Sequence, residues 1–148
     1  MVFDPQLSGL SGHDETTAFE QLKPLSKARA AALCHLTLMG LMPALVEQQF
    51  DAFSAAVGDI QRVVADYFAP AQNGAYTSSV VAEAVMRAKK RFKLRGVGQS
   101  SWGPTGFIFV PDVTTATKVV NDLSAAGYDR RLEYRGCTAL NDGASIDL

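Results

Sequence analysis

RGVGQSSWGPTGFIFV, residues 95–110, is the stretch that decides the fold. Gly96, Gly98, Gly103 and Gly106 bracket the polar centre Gln99-Ser100-Ser101, and Trp102-Gly103-Pro104 closes it. Glycine lets a chain turn through positive φ and lets another group approach the backbone closely. The residues before and after the turn are apolar and β-prone. Leu94–Gly98 and Thr105–Val110 are therefore expected as strands of a hairpin. Exposed N–H groups in such a turn can form an anion-binding nest, serine hydroxyls add donors, and Trp102 offers a flat apolar face with one polar handle. Residue types alone leave two readings open, a ligand-binding turn or a tight hairpin with nothing bound. The string is not a Walker A loop, because GK[ST] is missing. Nor is it a dinucleotide fingerprint, because a strand follows the turn where that fingerprint opens a helix.

Downstream, Ala116, Val119, Val120 and Leu123 give Val113–Ala126 an apolar face, and Gly127 is a helix C-terminal signal. A strand is expected near Arg131–Arg135, a turn at Asn141 and Asp142, and an edge strand near Ala144–Ile146. Upstream, a helix over Ser79–Phe92 turns Val81, Ala84, Val85 and Ala88 inward. A longer one over Glu47–Phe68 carries Phe50, Phe53, Val57, Ile60, Val64 and Tyr67 as a stripe, and Ala69-Pro70 is expected to stop it. Residues 28–46 are apolar on nearly every face. Such a helix is buried on several sides, or buried on one and paired with another subunit on the other. Ser26 is its expected N-cap, and Pro43 should kink or break it. A short helix at Asp14–Leu22 ends at Lys23-Pro24. Helices on a small antiparallel sheet give an α+β fold, and the order strand-turn-strand-helix-strand is the split βαβ pattern of ferredoxin-like folds.

The 148 residues suit one domain, and 47% hydrophobic with 20% charged residues is ordinary globular composition. A net charge of −1 speaks against nucleic acid or a membrane surface as partner. The basic run Arg87, Lys89, Lys90, Arg91, Lys93 and Arg95 reads as the solvated end of a helix. Ala30–Val46 is interrupted by His35, Thr37, Gly40 and Pro43, and is expected to be too short and too broken to span a membrane. Cys34 and Cys137 make no CxxC pair, and with His13 and His35 they suggest neither a zinc site nor a disulfide framework. Cys34 is read as a small core residue, and His35 as a histidine of a core or interface. A reducing, cytoplasmic location fits.

GVGQSSWGPTGFIFV resembles the third conserved motif of the GHMP kinase superfamily, in the form found in β-ribofuranosylaminobenzene 5′-phosphate synthases. Gly9–Ser26 is similar to that family's entry into its C-terminal domain. Leu38–Gln61 is similar to its long helical segment, and Arg135–Ile146 more weakly to its tail. The resemblance covers the C-terminal half of such a protein. It implies that residues 1–14 are a linker or strand remnant following an N-terminal domain, that residues 15–148 form the GHMP-type C-terminal domain, and that the chain alone is inactive. The implied reaction condenses 4-aminobenzoate, or a close relative, with phosphoribosyl pyrophosphate, releasing carbon dioxide and pyrophosphate on the way to tetrahydromethanopterin.

The resemblance further implies that Gly96, Gly98, Gln99, Ser100, Ser101, Trp102 and Gly103 line a substrate or phosphate site, and that Mg²⁺ accompanies the pyrophosphate without a ligand identifiable in this chain. His13, Asp14 and Glu15 are possible substrate contacts, or acids at a helix start beside a solvated histidine. Arg130, Arg131 and Arg135 are phosphate forks or strand-edge charges. No catalytic residue is assigned. Homodimerisation through the apolar helix near 28–46 is expected. Two alternatives stay open: an ATP-dependent GHMP small-molecule kinase, and a non-catalytic dimerisation domain.

Overall fold

A computed structural model describes residues 1–72 and 74–139. The turn expected at Asn141 and Asp142 and the edge strand expected near 144–146 lie outside them. Among the described residues, six α-helices, a π-helical turn and a short 3-10 turn (Tyr128–Arg130) accompany a four-stranded antiparallel sheet. In chain order they are β1 (Val2–Phe3), α1 (His13–Gln21), α2 (Lys27–His35), a π-helical turn (Leu36–Leu41), α3 (Met42–Val46), α4 (Phe50–Gln72), α5 (Ser79–Phe92), β2 (Val97–Gln99), β3 (Thr105–Ile108), α6 (Val113–Ala125) and β4 (Glu133–Tyr134). The sheet order is β2-β3-β1-β4. Every adjacent pair is antiparallel, with Val2 opposite both Gly106 and Tyr134, and Gly98 opposite Phe107. This is the α+β split βαβ arrangement expected from the sequence.

Strand alternation assigns the two faces of the β2–β3 hairpin. Val97 and Ile108 point toward the main core, where Val81, Ala84, Val85 and Ala88 of α5 meet Val119 and Leu123 of α6, Val2 and Leu132. The opposite face carries Gly96, Gly98, Phe107 and Phe109, and α4 lies across it, with Phe53 edge-on to Phe109 at 5.4 Å between ring centroids. Ser78 caps α5 through Val81 N–H, Asp112 caps α6 through Thr115 N–H, and Ser26 caps α2 through Arg29 N–H. Gly127, at φ 84°, ends the α6 segment as expected. Arg87 and Arg91 of α5 both grip Asp122 of α6, at 2.8 and 2.7 Å.

Four expectations are corrected. Pro70 does not stop α4, which runs from Phe50 to Gln72 with the proline inside it. Pro70 lacks a donor for the carbonyl of Asp66, but Asp66 is exposed, so water can satisfy that group. Pro43 does not break its helix. The chain passes from α2 through the π-turn into α3, and Met42 N–H reaches back five residues to Thr37, so the ladder is re-paired just ahead of the proline. Lys27–Val46 is therefore one helical run of 20 residues, long and apolar enough to cross a membrane by length and composition. His35, Thr37 and Gly40 do not interrupt it, because none carries a formal charge or forbids helix. Cys34 and His35 lie exposed on it, outside the core expected for the cysteine.

Candidate functional site

The turn between β2 and β3 is built from its backbone outward. Ser100 N–H donates to Thr105 O at 2.8 Å, and Gly103 N–H donates to Ser100 O at 3.3 Å. Ser101 sits at the first central position with φ 53°, the left-handed region that disfavours residues with a Cβ. Among the described residues, the N–H groups of Ser101 and Trp102 have no hydrogen-bond partner. Ser100 and Ser101 are both exposed. A strained serine beside free amide donors is an arrangement met at ligand-binding turns.

The rest of the motif anchors that tip. Gln99 is 8% exposed, yet its amide is fully used. Its Oε1 accepts Thr77 N–H at 2.6 Å, and its Nε2 donates to Gln72 Oε1 at 2.9 Å and Ser101 O at 2.8 Å. Thr77 Oγ1 donates to Trp102 O at 2.9 Å. Turn, end of α4 and entry to α5 are thus tied together. Trp102 is buried, with its ring edge-on to Phe68 at 4.6 Å and Phe19 at 5.3 Å. Gly96 and Gly98 are buried under α4. A Cβ at Gly96 would stand 2.7 Å from Ser54 Oγ, the atom that accepts Gly96 N–H, and one at Gly98 would collide with Gln61. Gly103 backs onto Gly9, where a Cβ would lie 2.8 Å from Gly103 Cα. Of the seven motif residues, Ser100 and Ser101 present side chains to solvent and the others hold the shape.

Two hollows flank the turn, and Ser100 and Ser101 line neither. One, of about 370 Å³, runs along the outer edge of β2 between α4 and α5, with Gly98 and Gln99 in its wall and Arg62, Lys89 and Arg95 around it. Asp59 already pairs with Arg62 at 3.2 Å. Burial pushes the Tyr76 hydroxyl in the same wall to a higher pKa. The other hollow, of about 560 Å³, opens at the first turn of α5 and is lined by hydroxyls and amides of Ser8, Ser11, Gln72, Thr77 and Ser79, together with Asp14. Backbone N–H groups at a helix start favour negative charge. Of the expected trio, Asp14 reaches this hollow, whereas exposed His13 and half-buried Glu15 do not line it.

Sequence reasoning missed Asp4. Its carboxylate is fully buried and accepts Ser78 Oγ–H at 2.7 Å, Arg131 at 3.2 Å and Gln6 N–H at 3.1 Å, while Asp4 N–H donates to Pro104 O. Burial pushes this carboxyl up, but the hydrogen bonds from Ser78, Gln6 and Arg131, with the guanidinium charge, outweigh it and hold it below the usual carboxylate range. Arg131 is therefore committed to Asp4, while Arg130 and Arg135 lie exposed. In a segment that reads as a linker or strand remnant, a lone acid carries no local signal of Ser78 and Arg131, partners 74 and 127 positions away. Among the described residues no group of three or more His, Cys, Asp or Glu could hold a metal ion.

No protein-family profile matches the chain. The chain is similar to β-ribofuranosylphenol 5′-phosphate synthase of Archaeoglobus fulgidus, with 30% identity over 129 residues, 86% of this chain and 34% of that relative. The chain thus spans about a third of the length of the curated relative it matches. The family resemblance drawn from the QSSWGPT turn is borne out at the level of that relationship.

Proposed function

We propose that this chain supplies one wall of the phosphoribosyl-transfer site of a β-ribofuranosylaminobenzene 5′-phosphate synthase of GHMP type. The observation that carries the reading is the strained, exposed Ser100-Ser101 tip with its free N–H groups, beside a hydroxyl-lined hollow at the start of α5. The substrates would be phosphoribosyl pyrophosphate and a para-substituted benzoate, 4-aminobenzoate or its 4-hydroxy counterpart. The second is included because the relative's name specifies a ribofuranosylphenol.

In this reaction the ribosyl C1–oxygen bond breaks and pyrophosphate leaves with its electron pair. The ring carbon bearing the carboxylate bonds to C1. Carbon dioxide then departs, and its bonding pair restores the aromatic ring. The chain's part is positioning and charge stabilisation: N–H donors and hydroxyls meet phosphate oxygens, and a rigid backing keeps them in place. Magnesium would reach the site on the pyrophosphate oxygens, since among the described residues no group of three or more His, Cys, Asp or Glu could hold a metal ion. Alone, the chain would leave the pocket open on one side and be inactive.

The test is a chimera that joins this chain to the part of the Archaeoglobus protein outside the matched region. Release of carbon dioxide and pyrophosphate by the chimera, but not by the chain alone, is expected. A Ser100→Ala, Ser101→Ala double variant should reduce turnover at least about tenfold, the effect of losing about 1.4 kcal/mol of transition-state stabilisation. Unchanged turnover in that variant would remove the turn from the site. ATP-dependent phosphoryl transfer without pyrophosphate release would favour the small-molecule kinase reading instead.

A further inference from the structure

The hollow of about 370 Å³ beside β2 is not the one assigned to phosphate, and its two ends differ. Gly58 backs onto the carbonyl of Arg95, and Gln61 onto Gly98, so α4 and β2 run the same way along it. Lys89 O accepts Leu94 N–H, which places Lys89 at the Arg95 end. Arg62 turns back to Asp59 at 3.2 Å and brings its guanidinium to this end as well. Among the described residues, neither Lys89 nor Arg95 is in an ion pair. Asp66 lies beyond Gln61 on α4, and Thr77 N–H binds Gln99 Oε1, so the far end holds Asp66, Tyr76 and Gln99. Between the ends the wall is apolar, with Gly58 and Ala65 leaving a slot opposite Val97 and half-exposed Met86.

The free edge of the sheet forms the floor. Ser100 N–H donates to Thr105 O and Phe109 N–H to Gly96 O, so the even-numbered positions face β3. Val97 and Gln99 therefore turn their backbone groups outward. Val97 N–H is already taken by Arg95 O at 3.1 Å, which leaves Gln99 N–H as the outward donor of this strand. An added strand would need donors at both positions, so the edge suits a small ligand better than a peptide.

We propose that this hollow binds a flat amphipathic anion, an aromatic carboxylate with a hydroxyl or amino group opposite its acid. The carboxylate sits among Arg62, Lys89 and Arg95, and the ring lies between Met86, Val97 and the slot at Gly58 and Ala65. The opposite substituent stands beside Asp66 and the Gln99 N–H. The volume falls within the range of small-molecule sites. Asp59 and Asp66 offset two of the three cations, so ring and charge are both needed. Ser100 and Ser101 do not line this hollow. In this pose the ring carbon bearing the carboxylate faces the Arg95 end, away from the hollow at the start of α5. An acid held here is outside the transfer reaction, and its binding does not depend on that reading. Tyr76 lines both hollows and is the side chain through which one would sense the other.

The test is titration of the isotope-labelled chain with 4-hydroxybenzoate, followed by amide nuclear magnetic resonance. Saturable shifts are expected at Gly98 and Gln99 and not along α6, with a Kd on the order of 1 mM. Benzamide, which lacks the charge, and acetate, which lacks the ring, should each bind at least about tenfold more weakly. Lys89→Gln with Arg95→Gln, both at exposed positions, should weaken 4-hydroxybenzoate by a similar factor, and Ala65→Phe should fill the slot and abolish the shifts. No saturation by about 10 mM overturns the proposal. So does acetate or benzamide matching 4-hydroxybenzoate, or a double variant that binds as the parent does. Stronger shifts at the same amides with an extended acidic peptide would assign the edge to strand addition and overturn it as well.

Discussion

The Ser78 hydroxyl donates to the Asp4 carboxylate at 2.7 Å, and the same oxygen accepts Val81 N–H at 3.2 Å. One hydroxyl therefore caps α5 and joins it to the residue that follows β1. Arg131, from the segment preceding β4, closes the group at 3.2 Å. Three distant parts of the chain meet at a single buried carboxylate.

Replacing Asp4 with alanine should cost about 2 kcal/mol, because Ser78 and Arg131 lose a buried acceptor. The folded-state pKa of Asp4 is depressed, so its contribution is fully present above the ordinary carboxylate pKa and lost as pH falls through the lower folded value. Urea midpoints between pH 6 and pH 3 should fall less steeply in Asp4→Asn than in the parent chain. Equal slopes would place the acid sensitivity elsewhere, with Asp122 and Asp112 the next carboxyls held low by hydrogen bonds.

Two glycines within the helical part should respond oppositely to alanine. At Gly40 the added Cβ meets only Ala56, at an ordinary 3.5 Å, so lower backbone entropy cost should stabilise by about 0.5–1 kcal/mol. At Gly58 the Cβ would overlap the carbonyl of Arg95, so α4 must move off the β2 edge. A net loss of about 1–3 kcal/mol is expected despite the better helix former. Denaturant titration of the pair checks the contrast.

Trp102 is the only tryptophan and is 5% exposed between Phe19 and Phe68. Its emission should be blue-shifted in the folded chain and move red on unfolding. Trp102→Ala should cost about 3–5 kcal/mol. A red-shifted native spectrum would mean that the indole faces solvent and is open to a ligand.

Ser101→Gly should relieve the positive φ and stabilise by up to about 1 kcal/mol, whereas Ser101→Val should destabilise. Thermal melts order the three proteins. In the chimera, a more stable but slower Ser101→Gly variant would separate the hydroxyl's role in turnover from its role in folding.

Local patterns were legible where local rules decide. Ser79–Phe92 is legible because Val81, Ala84, Val85 and Ala88 recur at helical spacing, and the structure adds the Ser78 cap at its start and the left-handed Lys93 at its end. The hairpin and α6 were equally plain. What the sequence could not show was the neighbour. Gly96 and Gly98 invite close approach, and the approaching group is α4, whose Ser54 and Gln61 lie more than thirty positions upstream. Cys34 sits in an apolar run that reads as core, yet nothing in the run says which side α4 covers. Pro70 looked like a stop, and only the exposure of Asp66 shows why α4 tolerates it. Within the candidate site, the motif residues were identified, but their division into an exposed tip and a buried frame depends on Gln72, Thr77 and Trp102 meeting in space.

The inner position of β1 sets the order of assembly. Val2 must find Gly106 on one side and Tyr134 on the other before the sheet is complete. During synthesis the first strand emerges more than a hundred residues before its partners. The α5–β2–β3 segment can form from nearby contacts, while the slot beside β3 waits for the two-residue β1. Pairings of such long range are slow to form. A nascent or stalled chain would therefore expose the edge of β3 for a prolonged interval, and misfolding by strand exchange between copies should begin there rather than at the finished sheet's outer strands.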